Sequence, residues 1–220
     1  MKDKAVILLS GGLDSTTCLS VAQKDSYDLY TLSFDYGQKH NRELICAESI
    51  ANYYNVTYHK VVKLNLSDGN ALTDFYVNVP DYNPNSSIPI TYVPGRNILF
   101  LSNALSYAEA VGAISIFIGV SSIDYSGYPD CRPEFIEAFQ KVIDVGTKAG
   151  VEGESIKILT PLIHLSKAET IKLAIANGAP LHLTTSCYNG KEKACGRCDS
   201  CFLRLKGFEQ AGLSDPIDYY

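Results

Sequence analysis

Ala5-Val6-Ile7-Leu8-Leu9-Ser10-Gly11-Gly12-Leu13-Asp14-Ser15 is the stretch that decides the fold. Five apolar residues in a row read as a strand buried on both faces. The run is too short for a signal-peptide core or a membrane span, and a glycine pair ends it. A helical pattern then occupies residues 14–23. A strand that enters a helix through glycines opens a β-α-β unit, and at such a junction an α/β sheet binds anions.

The pattern continues outward from there. Residues 29–34 alternate as a strand, and residues 41–54 place Leu44, Ile45, Ile50 and Ala51 on one helical face. Residues 56–62 return to strand. A helix follows Pro94-Gly95 and runs to about residue 111, before an apolar strand at 114–120. Helices over 133–148 and 167–176 flank a short strand at 156–159. Strand and helix alternating at this spacing predict an α/β class chain with a doubly wound parallel sheet. Residues 65–90, rich in Asn, Asp, Pro and Ser, read as a long loop over an active site.

The 220 residues suit one large domain with a small appendage, divided as 1–183 and 184–220. A formal net charge of -5 argues against a broad nucleic-acid-coating surface. It leaves room for a local anion site built from backbone amides. The start of the chain points to a cytoplasmic protein with no membrane partner, and the reading allows a homodimer.

Near the C-terminus stands Cys187-x7-Cys195-x2-Cys198-x2-Cys201. Each Cys-x2-Cys turn brings two sulfurs to one ion, the two turns share Cys198, and Cys187 is the fourth ligand. Four thiolates fill a tetrahedral zinc shell, which favours a structural role. The net negative charge left over is offset by Lys191, Lys193, Arg197, Arg204 and Lys206. An iron–sulfur cluster or a Cys195–Cys198 redox pair are the competing readings.

In the glycine loop the amides and the hydroxyls of Ser10, Ser15 and Thr16 can face phosphate oxygens, with the helix N-terminus adding positive potential. A plain turn capped by Asp14 or Ser15 is the alternative. The loop is neither a Walker motif nor G-x-G-x-x-G. It resembles the pyrophosphate loop of the ATP pyrophosphatases.

Further segments narrow the resemblance. They are Phe34-Asp35-Tyr36-Gly37-Gln38-Lys39-His40, Val93-Pro94-Gly95-Arg96-Asn97, Asp124-Tyr125-Ser126-Gly127-Tyr128-Pro129-Asp130-Cys131-Arg132 and Thr160-Pro161-Leu162. With the cysteines they resemble the 7-cyano-7-deazaguanine synthases of the queuosine pathway, from Lys4 to about Leu213. The resemblance implies an adenine nucleotide alpha hydrolase-like, Rossmann-like fold with a zinc-binding C-terminal lobe. It implies ATP with Mg²⁺, ammonia and 7-carboxy-7-deazaguanine as small-molecule partners, and no direct nucleic-acid partner. The product it implies is 7-cyano-7-deazaguanine, reached through adenylated intermediates.

Site residues follow by position. ATP is expected at Leu9, Ser10, Gly11, Gly12, Leu13, Asp14, Ser15, Thr16, Thr17, Cys18, Leu19 and Arg96. The flat base is expected at Tyr125, Tyr128, Asp130 and Arg132. Catalysis is expected from Asp14, Ser15 and Lys167, the last sitting in the capping-box sequence Ser166-Lys167-Ala168-Glu169. Asn97 either binds ligand or caps its turn. His40 and Glu43 either face the site or pair at the surface, and Cys18 and Cys46 read as small core residues. A tRNA-thiolating pyrophosphatase and a zinc-dependent nucleic-acid module each fit part of the pattern; the glycine loop argues against the second.

Overall fold

The apolar run forms β1 (Lys4–Leu8), the middle strand of a five-stranded sheet. The computed structural model describes residues 2–39, 41–64, 66, 70–74, 76–83, 90–122 and 128–220. Strands β2 (Asp28–Asp35), β3 (Tyr58–Lys63), β4 (Ser115–Phe117) and β5 (Lys157–Leu159) complete the sheet in the order β3-β2-β1-β4-β5. Every pairing is parallel, as the strand-helix alternation predicts.

Alternate residues of β1, and Leu9 just after it, enter different cores. Ala5, Ile7 and Leu9 join Cys18, Leu19 and Ala22 of α1 (Leu13–Lys24) and Ala47, Ile50 and Ala51 of α2 (Arg42–Tyr53). Val6 and Leu8 join Leu101, Ala104 and Ala108 of α3 (Arg96–Val111) and Ile136, Phe139 and Ile143 of α4 (Pro133–Gly146). Helices therefore cover both sheet faces, the doubly wound arrangement. The chain changes sides between β3 and β4, so the order reverses beside β1 and a crevice opens over the ends of β1 and β4.

Several boundaries differ from expectation for physical reasons. The buried stripe of α2 is Ala47, Ile50 and Ala51, continued by Tyr54 at its C-cap, while Ile45 is 62% exposed. The apolar run at 114–120 is ladder only over β4; beyond it the chain leaves the sheet to line the crevice. The helix expected over 133–148 breaks after α4, and a single turn, α5 (Lys148–Val151), follows with Thr147 as its cap. After β5 comes α6 (Lys167–Ala176), opened by the full Ser166/Glu169 capping box.

One helix has no sequence signal. This is α7 (Asp199–Ala211), whose buried positions are Cys201, Arg204, Gly207 and Phe208. That face is helical in spacing but not apolar, so periodicity does not reveal it. Phe208 joins Leu13, Ile171, Ala174 and Leu181 in a cluster that ties α7 to α1 and α6. Inside α7, Arg204 is 1% exposed and pairs with Asp215 through two bonds of 2.7 and 2.8 Å. No helix among the described residues is long and apolar enough to cross a membrane.

Candidate functional site

A cleft of about 310 Å³ opens at the switch point. One wall is Leu9, Ser10, Gly12, Leu13, Asp14 and Ser15; another is Ile118, Gly119, Val120 and Ser121 after β4. Gly11 holds φ +82°, and a Cβ there would stand 2.3 Å from the Glu43 carbonyl oxygen and 2.8 Å from the Ala47 nitrogen. The loop is thus wedged against α2, and the Gly11 carbonyl accepts from the Thr185 N–H at 2.9 Å.

The capped-turn alternative fails. The N-cap of α1 is Gly12, and no side chain caps the helix. Ser15 instead accepts from the Ser10 N–H at 3.2 Å and donates to the Gly12 carbonyl at 3.1 Å. The uncapped first turn of α1 faces the cleft, an arrangement suited to an anion.

The later loop candidates turn away. Thr16 and Thr17 are fully buried and donate to the Gly12 and Leu13 carbonyls at 2.8 Å. Cys18 and Leu19 belong to the core, and burial raises the Cys18 thiol pKa, which makes it inert. The helix carries the side chains of Thr16, Thr17, Cys18 and Leu19 inward, away from the cleft.

Lys167, at the first position of α6, reaches Asp14 with both carboxylate oxygens at 2.8 Å. Both residues line the cleft. The pair puts a cation beside the glycine loop although 153 residues separate the partners in sequence.

The far wall is aromatic and charged. Tyr36, Glu43, Arg96, Tyr128 and Tyr188 all line it. The Arg96 guanidinium lies 5.8 Å from the Tyr128 ring centre. Burial pushes the Tyr36 phenol up to about 12, against the pull of Arg96. Burial also raises the Glu43 carboxyl, again with Arg96 opposing it. Glu43 lines the cleft and is half-buried; His40 lies outside the described residues.

The expected base contacts divide. Tyr128 is in the cleft and meets Thr91 at 2.8 Å. Asp130 is only 6% exposed, and its carboxylate accepts from the Asn97 N–H at 3.0 Å. Asn97 in turn donates to the Asp130 carbonyl at 3.0 Å, so this pair fastens residues 128–132 to the start of α3. Asn97 is not the cap of that helix; Gly95 is. Arg132 is exposed at the N-cap of α4 and does not line the cleft. Asp130 thus holds the start of α3 through its carboxylate, and Arg132 stands outside the cleft lining. Tyr125 lies outside the described residues.

Next to this wall the four cysteines converge. The sulfurs of Cys187, Cys195, Cys198 and Cys201 all lie within 4.8 Å of one another, and those of Cys195 and Cys201 are 3.9 Å apart. Tetrahedral ligands about 2.3 Å from one ion sit roughly 3.8 Å apart, so the donor set fits a metal. Backbone N–H groups add to the fit: Cys195 donates to the Cys187 sulfur, and Arg197 and Cys198 donate to the Cys195 sulfur. Residues 76–83 strap this lobe, with Tyr82 stacked on Phe202 at 4.0 Å and its N–H bonded to the Arg197 carbonyl at 2.9 Å. Arg204 is committed to Asp215, so it is not the free countercharge expected for the thiolates.

The family model for "Queuosine biosynthesis protein QueC" matches residues 4–212. The chain belongs to the QueC family. It is 68% identical over 216 residues to "7-cyano-7-deazaguanine synthase 2" of Desulfitobacterium hafniense strain Y51, covering 98% of this chain and 93% of the relative. It is 63% identical to "7-cyano-7-deazaguanine synthase" of Acetivibrio thermocellus, covering 98% and 97%. Among solved structures, an NMN synthetase from Francisella tularensis shares the fold, with TM-score 0.52 at 13% identity over 97% of this chain and 79% of that one.

Some elements of this QueC-family site have no sequence signal. Thr185, just before the first cysteine, and Leu203 and Arg204, just after the last, line the cleft. Asp215, which fixes Arg204 and accepts from the Tyr219 hydroxyl at 2.6 Å, stands in no motif. Only the fold brings it to α7.

Proposed function

We propose that the chain converts 7-carboxy-7-deazaguanine and ammonia to 7-cyano-7-deazaguanine at the expense of ATP, in queuosine biosynthesis in the cytoplasm. One observation carries the reading. An uncapped helix N-terminus in a glycine loop stands beside Lys167 in the cleft of a chain whose relatives bear that synthase name.

The substrate carboxylate is a poor acyl donor to ammonia because oxide is a poor leaving group. Its oxygen attacks the α-phosphorus of ATP, the α–β bridging oxygen leaves with pyrophosphate, and an acyl adenylate forms. The first-turn amides of α1 and the Lys167 ammonium stabilise the charge gathering on the phosphates. Asp14 holds Lys167 in place beforehand, and Mg²⁺ arriving with ATP shares the neutralisation. Ammonia then displaces AMP to give the amide. Adenylation of the amide oxygen in a second round lets AMP leave and the nitrile form. Tyr128 and Arg96 offer the flat ring a face and a cation, which orients it for attack. No covalent enzyme nucleophile is needed.

The four cysteines would hold a structural zinc, which when bound would cross-link the lobe that supplies Cys187 and Tyr188 to the wall. This pocket calls for no direct nucleic-acid contact. The test is incubation with ATP, Mg²⁺, ammonium and the carboxylic acid, followed by mass spectrometry. AMP no higher than in a control without the acid would sink the proposal.

A further inference from the structure

Gly207 lies inside α7, buried, with an ordinary helical backbone. Glycine in a helix interior weakens the helix, and no positive φ calls for it here. Its surroundings supply the reason. A Cβ at Gly207 would stand 2.4 Å from Lys167 Cγ, 2.9 Å from Lys167 Cβ and 3.0 Å from Ile171 Cδ1. Real side chains do not approach so closely, and Lys167 Cβ is fixed to its backbone, so rotating the lysine cannot clear the contact. Either α7 must move off α6 or the lysine stem must bend away.

We propose that Gly207 is a positioning residue: the bare backbone of α7 is the seat for the Lys167 stem and aims its ammonium at the glycine loop. The stem lies on α7, the ammonium reaches both oxygens of Asp14 at 2.8 Å, and Asp14 belongs to the first turn of α1. The same helix has Cys198 as its N-cap and carries Cys201. A displacement of α7 would therefore be felt at both the cysteine cluster and the phosphate site. This inference rests on the phosphate role proposed for Lys167.

The experiment is a cycle of Gly207→Ala in two backgrounds, wild type and Lys167→Met. Methionine keeps the stem, and with it the clash, but removes the ammonium. Gly207→Ala should lower kcat about 10- to 100-fold in the wild-type background, the scale of a misplaced catalytic group, with KM for the carboxylic acid nearly unchanged. In the Lys167→Met background it should lower thermal stability as much, yet change kcat less than about threefold, because no ammonium remains to be misplaced. Equal loss of kcat in both backgrounds would overturn the proposal, since Gly207 would then act only through packing. So would an unchanged kcat in the single variant. If Gly207→Ala proves too unstable to purify, adding Ile171→Val removes the atom 3.0 Å from the new methyl and the same comparison is made. Wild-type protein that forms no AMP from the acid refutes the proposed function instead, which keeps the two failures apart.

Discussion

Replacing Gly11 with alanine should damage both the fold and nucleotide binding, and its size can be worked out. At φ +82° an L side chain is strained, at about 1–2 kcal/mol for left-handed backbone. The added methyl would also lie 2.3 Å from the Glu43 carbonyl oxygen, 2.8 Å from the Ala47 nitrogen and 3.0 Å from Cys46 Cβ. These are atoms of α2 or its backbone, so no flexible side chain can give way. Forcing an extra carbon into such a space costs about 1–3 kcal/mol. The sum is about 2–5 kcal/mol, which for a chain of this size lowers Tm by roughly 4–20 °C. If the loop relaxes instead, its carbonyl loses the Thr185 N–H and the first turn of α1 shifts, so ATP binding weakens. Thermal unfolding by circular dichroism and an ATP titration by calorimetry read the two effects. A Tm within about 2 °C of wild type together with unchanged ATP affinity would refute the wedge between loop and α2.

Other perturbations test other parts. Asp215→Ala strands the buried Arg204 cation and should cost about 3–5 kcal/mol, read as a lower urea midpoint; a midpoint equal to wild type would mean the pair is not what anchors α7. Cys195→Ser should abolish tight metal binding, measured by elemental analysis, and expose residues 184–220 to protease; full metal content in the variant would contradict a four-sulfur site. The Tyr36 phenol keeps its proton to about 12 in the folded state but to about 10 when unfolded. The folded state therefore binds more protons across that window, and stability falls as pH rises from about 10 to about 12. Tyr36→Phe should flatten that fall in urea titrations at pH 9 and 11, and an identical slope would count against burial of the phenol.

The sheet was legible because β1 and β4 sit in apolar runs and β2 alternates polar with apolar residues, and β1 with its glycine loop needed only local pattern. The cysteine cluster was legible because sulfur spacing along the chain is itself a geometric constraint. What stayed hidden depends on partners distant in sequence. Asp130 looked like a ligand contact in a polar loop, but its carboxylate meets the Asn97 N–H. Thr16 reads in sequence as a phosphate donor and Thr17 as an ATP-site residue; as helical residues they satisfy their hydroxyls on preceding carbonyls and turn inward. The buried face of α7 contains an arginine and a glycine, so no apolar stripe marks it, and both residues make sense only beside Asp215 and Lys167.

The central claim is that one cleft adenylates first an acid and then its amide. The direct test is the ratio of AMP to nitrile formed from 7-carboxy-7-deazaguanine with ATP, Mg²⁺ and ammonium, with the amide followed by mass spectrometry. The account predicts two AMP per nitrile, an amide that appears before the nitrile, and conversion of added amide at one AMP each. AMP that does not depend on the acid, or a nitrile formed without the second AMP, would contradict it.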